Sequence, residues 1–139
     1  MLGYRHKGVV HYTQGPRRWE GISNRCRSHL GRYPRYADCS SYATWCIWDA
    51  LGGPNAGIDV VNGHQWKGGY TGTQKQHGRR VSLANAKPGD LVHYGGGTGK
   101  HVTIVVGRNK VISHGSEAGP YLLKPDYRSD ISEVRRYFG

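Results

Sequence analysis

The pattern of apolar and polar positions predicts one dominant helix in the first half of the chain. In the segment DCSSYATWCIWDAL at 38–51, apolar side chains outnumber polar ones, Asp38 is a suitable N-cap, and the Gly-Gly-Pro sequence at 52–54 is a strong stop signal. A helix this apolar is expected to be largely buried and central to the fold. A shorter helix is predicted within 17–30, in a segment that is otherwise polar and basic.

From residue 81 onward the pattern changes to short strands separated by turns. The predicted strands are 91–94 (LVHY), 101–106 (HVTIVV), 111–114 (VISH), 121–124 and 133–138. The connection 52–80 is Gly-rich and polar and is predicted to be a loop with one short element around 58–67. Helices followed by an antiparallel sheet predict an α+β fold. A length of 139 residues suits a single domain over 1–139.

The two most apolar β segments are expected to form a hairpin that brings two histidines together. A hairpin tip at 108–109 places Thr103 opposite His114. Since side chains alternate along a strand, His101 points to the same face as Thr103 and is a diagonal neighbour of His114. One imidazole then acts as a base, and the other accepts its remaining N–H and fixes its tautomer.

Cys39 occupies the first position of the predicted helix. The unpaired N–H groups and the dipole of a helix start favour the thiolate, and the same N–H groups can stabilise an oxyanion. Cys46 is expected to be packed in mid-helix, and Cys26 lies in a polar segment. Cys39 is therefore the predicted nucleophile, with His101 as its base. Three cysteines leave at least one free thiol, which indicates synthesis in a reducing compartment.

The formal net charge of +11 indicates an anionic partner or surface. The sequence contains no helix-turn-helix, zinc-finger or RNA-recognition signature. A basic nucleic-acid-binding module, with Tyr and Trp side chains as stacking platforms, is the non-enzyme alternative. No stretch approaches the roughly 20 apolar residues of a membrane span, and the opening MLGYRHKGVVHY lacks the apolar region of a secretory signal.

Four motifs, taken in order, resemble a known family. They are DCSS at 38–41, KPGDLV at 87–92, HVTIVVG at 101–107, and His114. The NlpC-type cell-wall cysteine peptidases show a DCSG motif at the nucleophile, a PGDLV turn, an HVGI strand that carries the base, and a third polar residue, often His, further along. The resemblance covers 38–114 and implies a papain-like fold, with N-terminal helices packed on a central antiparallel sheet.

By this resemblance, Cys39 is the nucleophile, His101 the base and His114 the orienting residue, with no cofactor or metal. The implied substrate is the peptide stem of peptidoglycan, cut at the γ-D-glutamyl–diaminopimelate bond. Ser41 and Thr103 replace glycines of the family motifs beside the catalytic residues, and they put the exact bond in doubt.

The resemblance also implies a side chain that contributes to the oxyanion hole. Tyr12 is the first candidate and Tyr36 the second, and Asp38 and Ser40 are further candidates for contacts to the oxyanion or substrate. The segments HYTQGPRRWEGI and DCSSYATW resemble the N-terminal peptidase domain of endolysins from phages that infect actinobacteria. That implies a monomer made in the host cytoplasm, released by a holin, and bound to peptidoglycan and to anionic wall polymers through its basic surface.

Two other enzyme classes remain as alternatives. A CHAP-type N-acetylmuramoyl-L-alanine amidase would use the same Cys and His, with Glu117 as its third member. A zinc hydrolase would use His93, His101 and His114, although the sequence has no HExxH motif and no closely spaced pair of ligands.

Overall fold

The computed structural model describes residues 10–116 and 119–139, so Glu117 lies outside the described residues. The described residues form three α-helices and eight β-strands. The helices are α1 (Glu20–Ser23), α2 (Cys39–Ala50) and α3 (Thr71–Gln74). The strands are β1 (His11–Tyr12), β2 (Tyr36–Ala37), β3 (Arg79–Val81), β4 (Leu91–Tyr94), β5 (His101–Gly107), β6 (Lys110–Ser113), β7 (Tyr121–Leu123) and β8 (Ile131–Arg136).

Six strands form one antiparallel sheet in the order β3-β8-β4-β5-β6-β7. The short strands β1 and β2 form a separate parallel pair, with His11 opposite Tyr36 and Tyr12 opposite Ala37. The α+β prediction is confirmed: helices come first in the chain and pack on a central antiparallel sheet. Within the described ranges, no helix combines the length and the apolar character needed to cross a membrane.

Helix α2 begins and ends close to the predicted bounds because its N-terminus is closed by a capping box. Asp38 accepts a hydrogen bond from the backbone N–H of Ser41 at 2.9 Å, and the Ser41 hydroxyl accepts one from the N–H of Asp38 at 2.9 Å. Tyr42, Trp45 and Trp48 of α2 are nearly fully buried. Such large aromatic side chains supply much of the area that fixes the helix on the sheet.

The segment 52–80 has more structure than the sequence predicted. It includes α3 and β3, whereas 58–67, the expected place of a short element, consists of turns and bends. Asp59 organises these turns, since its carboxylate accepts the backbone N–H groups of Val61, Asn62 and Trp66 at 2.9–3.1 Å. A buried carboxylate with several N–H donors holds a segment in place without helix or strand hydrogen bonds.

The β5–β6 hairpin has a different register from the one predicted. Its pairs are Ile104 with Ile112, Val105 with Val111, and Gly107 with Lys110, and a β-bulge shifts the register between Val105 and Gly107. Continuing this ladder puts residue 113, rather than 114, opposite residue 103. Because a slip of one residue moves each side chain to the other face of the sheet, the predicted pairing of Thr103 with His114 is wrong.

Candidate active site

Cys39 is the first residue of α2, directly after the cap residue Asp38. Its Sγ lies within hydrogen-bonding reach of the backbone N–H of Val102 on β5, and of the N–H groups of Ser40 and of Cys39 itself. Among the described residues, no hydrogen bond joins this sulfur to the imidazole of His101. Two observations relate the positions of Cys39 and His101. The N–H that reaches the sulfur belongs to Val102, the residue after His101, and the charge of Asp38 affects the pKa of both residues.

The pKa of the Cys39 thiol is raised to about 11, first by burial and then by the negative charge of Asp38. The nearby backbone N–H groups of Val102, Ser40 and Cys39 act in the opposite direction. The sequence predicted a thiolate at the helix start, whereas burial and the charge of Asp38 favour the neutral thiol in the resting protein. Removal of the sulfur from water outweighs the helix dipole, so the resting residue is a neutral thiol.

His101 begins β5 and is buried, with 7% of its surface exposed. Its Nε2 is hydrogen bonded to Oγ of Ser113 on the neighbouring strand, at 2.8 Å. Burial, and then the positive charge of Arg128, lower the pKa of His101 to about 4. The imidazole is therefore neutral near pH 7, which is the protonation state that a general base requires.

Ser113 takes the place that the sequence assigned to His114. The β-bulge places the Ser113 side chain on the face of His101, and Ser113 Oγ also lies 3.4 Å from the hydroxyl of Tyr127. Nearby, a Cβ added to Gly115 would come within 2.9 Å of Cε1 of His101. The ring is therefore held by a hydrogen bond at Nε2 and by close backbone packing at Cε1.

His114 lies on the opposite face of the sheet, beneath α2. Its ring is nearly fully buried, and its centroid is 5.5 Å from that of Tyr42 and 5.9 Å from that of Tyr12. The predicted role of His114 as the residue that orients His101 is corrected by the hydrogen bond to Ser113. The physical cause is the bulge, which reverses the direction of each β6 side chain relative to the predicted ladder.

Tyr12 lies close to the nucleophile. Its pKa is raised by burial and then by electrostatic interactions with Cys39 and Asp38, which places its phenol near both groups. Tyr36 lies apart in a cationic setting, with the guanidinium of Arg17 4.0 Å from its ring centroid. Of the two tyrosines, Tyr12 is the one that the structure brings to the thiol.

The side chains of Asp38 and Ser40 are occupied in the helix cap. The Ser40 hydroxyl donates to Oδ1 of Asp38 at 3.2 Å, and Oδ2 of Asp38 lies 3.6 Å from Nε of Arg18. Both residues are buried, with exposures of 8% and 2% for Asp38 and Ser40. Their side chains therefore support the position of Cys39, and the backbone N–H of Ser40 points to the sulfur.

His93 lies in the middle of β4, fully buried, and the pKa of its imidazole is lowered to about 3 by burial. Among the residues that the structure describes, neither ring nitrogen of His93 has a hydrogen-bond partner. Across residues 10–116 and 119–139, no three His, Cys, Asp or Glu side chains are arranged to hold a metal ion. The zinc alternative built on His93, His101 and His114 has no support in this arrangement.

Sequence reasoning missed Ser113 and the backbone N–H of Val102. A serine inside an apolar strand carries no chemical signal by itself, and a bulge at Val106 cannot be recognised from the run of valines around it. The only available hint was the polar character of Ser113 among apolar neighbours.

The chain is similar to several known proteins. The sequence model of the CHAP domain matches residues 29–116. Among curated proteins, the peptidoglycan endopeptidase RipB of Mycobacterium tuberculosis is 39% identical over 56 residues, which are 40% of this chain and 23% of RipB. The aligned part of the chain thus spans less than a quarter of that relative.

Solved structures show the same fold. RipB from M. tuberculosis has a TM-score of 0.57 at 24% identity, covering 81% of this chain and 49% of the other. NlpC1 from Trichomonas vaginalis has a TM-score of 0.61 at 20% identity, covering 96% and 41%. An NlpC/P60 family protein from Bacillus cereus has a TM-score of 0.58 at 20% identity, covering 76% and 33%.

These structures confirm the expected papain-like fold of NlpC type. The family model that matches is that of the CHAP domain, which the sequence analysis treated as an alternative. That model covers more than half of the chain and includes Cys39, His101 and Ser113. The chain belongs to the CHAP domain family.

Proposed function

We propose that the protein is a peptidoglycan hydrolase that cleaves an amide bond by acyl transfer to Cys39. The observation that carries the proposal is the placement of Cys39 at the start of α2, with the backbone N–H of Val102 within reach of its sulfur. The residue before Val102 is the buried His101, whose Nε2 is hydrogen bonded to Ser113. The similarity to RipB, a protein named for its action on peptidoglycan, supports the choice of substrate.

The resting pair is a neutral thiol and a neutral imidazole, so the proton moves when the substrate is attacked. With Nε2–H donating to Ser113, Nδ1 of His101 is unprotonated and takes the thiol proton as Sγ bonds to the carbonyl carbon. The oxyanion is stabilised by the N–H groups at the start of α2 and by the phenol of Tyr12.

Collapse of the tetrahedral intermediate breaks the C–N bond, and His101 gives its proton to the leaving amine. The acyl group remains on Cys39 as a thioester. Water then attacks this thioester, His101 accepts a proton from the water, and the thiol and a carboxylic acid are restored. At the end of the cycle the thiol of Cys39 and the imidazole of His101 are again neutral, and no step of this mechanism uses a metal or cofactor.

For the bond itself we propose the γ-D-glutamyl–diaminopimelate link. The carboxylates that flank this link suit a cleft in a protein with a net charge of +11. The name of RipB, an endopeptidase, also favours a bond within the peptide over the bond to the sugar.

The second candidate is an N-acetylmuramoyl-L-alanine amidase, the activity considered above for a CHAP-type enzyme. The observation that favours it is the match of the CHAP model to residues 29–116. Glu117, the third member considered for that enzyme, lies outside the described residues, and within them Ser113 fills the position beside Nε2 of His101.

Mass spectrometry of the fragments released from purified peptidoglycan separates the two candidates. The endopeptidase exposes a new amine on diaminopimelate and leaves the muramic acid–L-alanine amide whole. Free lactyl groups with intact stem peptides would instead identify the amidase, and the roles of Cys39 and His101 would be unchanged.

We also propose where the protein is made and where it acts. We infer a monomeric, phage endolysin-like enzyme that is made in the host cytoplasm and reaches the wall after holin-mediated release. Its positive charge would hold it on anionic wall polymers. Fractionation of infected cells before and after holin action tests this, since the protein should move from the cytoplasm to the wall only after release.

A further inference from the structure

A cleft of about 250 Å³ opens beside the base, on the side of the His101–Ser113 hydrogen bond. Its walls include His101, Ser113, Gly115, Tyr121, Tyr127 and Arg128. Cys39 is not among its lining residues. The cleft is therefore a space next to the base rather than next to the nucleophile, and it is large enough for an amino-acid side chain.

Arg128 is the cation at this cleft, and its guanidinium is held in a fixed position. Nε and Nη2 donate to the two carboxylate oxygens of Asp130 at 2.9 and 2.7 Å, and the guanidinium carbon lies 5.4 Å from the ring centroid of Tyr94. A guanidinium has five N–H donors, and this pair engages only Nε and Nη2. About a third of the Arg128 side chain is exposed, so further N–H donors can reach a ligand.

The direction of the reaction decides which part of the substrate enters this cleft. His101 gives its proton to the departing amine, so the residue that carries this amine lies on the side of His101 rather than on the side of the acyl group bonded to Cys39. Building on the proposed function, we propose that this cleft is the subsite for the leaving group and that Arg128 binds a free carboxylate on the amino acid released.

The charges around His101 support this assignment. Burial lowers the pKa of His101 most; Arg128 and, least of these, His114 also lower it, whereas Asp130 and Asp38 raise it. A substrate carboxylate bound to Arg128 would offset the positive charge that disfavours the imidazolium. A substrate with this carboxylate therefore makes His101 a better proton acceptor at the moment it is needed, and a substrate that lacks it does not.

The test uses two soluble stem tetrapeptides that differ at one group. In one, the side-chain carboxyl of diaminopimelate is free, and in the other it is a carboxamide. The wild type should cleave the carboxylate form with a kcat/KM about 10-fold or more higher, the usual effect of one hydrogen bond to a charged group. Arg128→Gln should cleave both forms at the rate of the wild type on the carboxamide, and Arg128→Lys should keep part of the preference.

Two further variants separate recognition from a structural role. Arg108→Gln removes an exposed arginine at the β5–β6 turn and should leave the preference unchanged. Asp130→Asn removes the partner of Arg128 and should keep or strengthen the preference, because the guanidinium loses a competing carboxylate. If Arg128 served only to pair with Asp130, Arg128→Gln and Asp130→Asn would affect both substrates alike, and the proposal would be overturned.

Different outcomes would exclude the leaving-group subsite and the hydrolase activity. Cleavage of both tetrapeptides by the wild type with equal kcat/KM would overturn the leaving-group subsite and leave the hydrolase intact. Cleavage of neither tetrapeptide would contradict the endopeptidase activity, and the subsite with it.

Discussion

Ser113 and His114 are adjacent in sequence but lie on opposite faces of the sheet, and the hydroxyl of Ser113 is hydrogen bonded to His101. A serine hydroxyl can fix the tautomer and direction of an imidazole as an amide or carboxylate oxygen does. Unlike a carboxylate, it brings no negative charge to stabilise the imidazolium. The low pKa of His101, about 4, fits a base that is oriented by a neutral partner.

Substitutions at these two positions test the assignment. Ser113→Ala should lower kcat by about 10- to 100-fold, because the base loses its orienting hydrogen bond. Ser113→Thr, which keeps an Oγ, should recover much of the rate. His114→Phe keeps a ring against Tyr42 and should stay within a few-fold of the wild type on a soluble muropeptide. A silent Ser113→Ala together with a crippling His114→Phe would restore His114 as the orienting residue.

Prediction from the sequence succeeded at residues whose role depends on their own element. Cys39 could be placed at a helix start because Asp38 and the apolar run after it define the N-terminus of α2. The prediction failed where two elements must be aligned: the bulge at Val106 decides which of two neighbouring side chains meets His101. The sequence also could not show the burial of the Cys39 thiol, which raises its pKa and opposes the effect of the helix start.

Among the secondary-structure elements, the central strands of the sheet are the ones that the hydrophobic pattern of the sequence locates well. Strands β4, β5 and β6 lie within one residue of their predicted bounds because each is a short apolar run between turn residues. The two-residue strands β1 and β2 carry no such pattern. Their parallel pairing nevertheless matters for function, because Tyr12 on β1 lies near the nucleophile.

Strand β4 also carries a titratable group that should limit stability in acid. The pKa of His93 is lowered to about 3 in the folded protein, against 6.5 for an ordinary histidine. The unfolded chain therefore binds an extra proton as the pH falls below 6.5. The free energy of unfolding should fall with it, by up to ~1.4 kcal/mol for each pH unit, until the folded protein also binds the proton near pH 3.

Urea denaturation between pH 7 and pH 4 measures this effect. His93→Leu removes the titrating group from a fully buried site, and the unfolding free energy of this variant should depend less steeply on pH. His64→Gln, at an exposed position, is the matched control and should keep the steep dependence of the wild type. Equal slopes for the wild type and His93→Leu would contradict the attribution to His93.

At the scale of the whole molecule, the net charge of +11 should govern binding to the wall more than the chemistry at Cys39. The Debye length falls from ~10 Å at 0.1 M salt to ~3 Å at 1 M, so attraction between a basic surface and anionic polymers weakens steeply. Binding to purified walls should therefore decline over this range. Hydrolysis of a small soluble muropeptide should decline much less, and equal salt sensitivity in both assays would remove the role given to the basic surface.

The assignment of Cys39 as the nucleophile of a peptidoglycan hydrolase can be tested by measuring the soluble fragments that Cys39→Ala, the wild type and Cys26→Ser release from purified peptidoglycan. The thiol of Cys39 serves chemistry more than packing, so Cys39→Ala should fold, as judged by circular dichroism, and release no fragments. Cys26→Ser should remain active, since Cys26 is not part of the site. Fragment release by Cys39→Ala at the wild-type rate would contradict the assignment of Cys39 as the nucleophile.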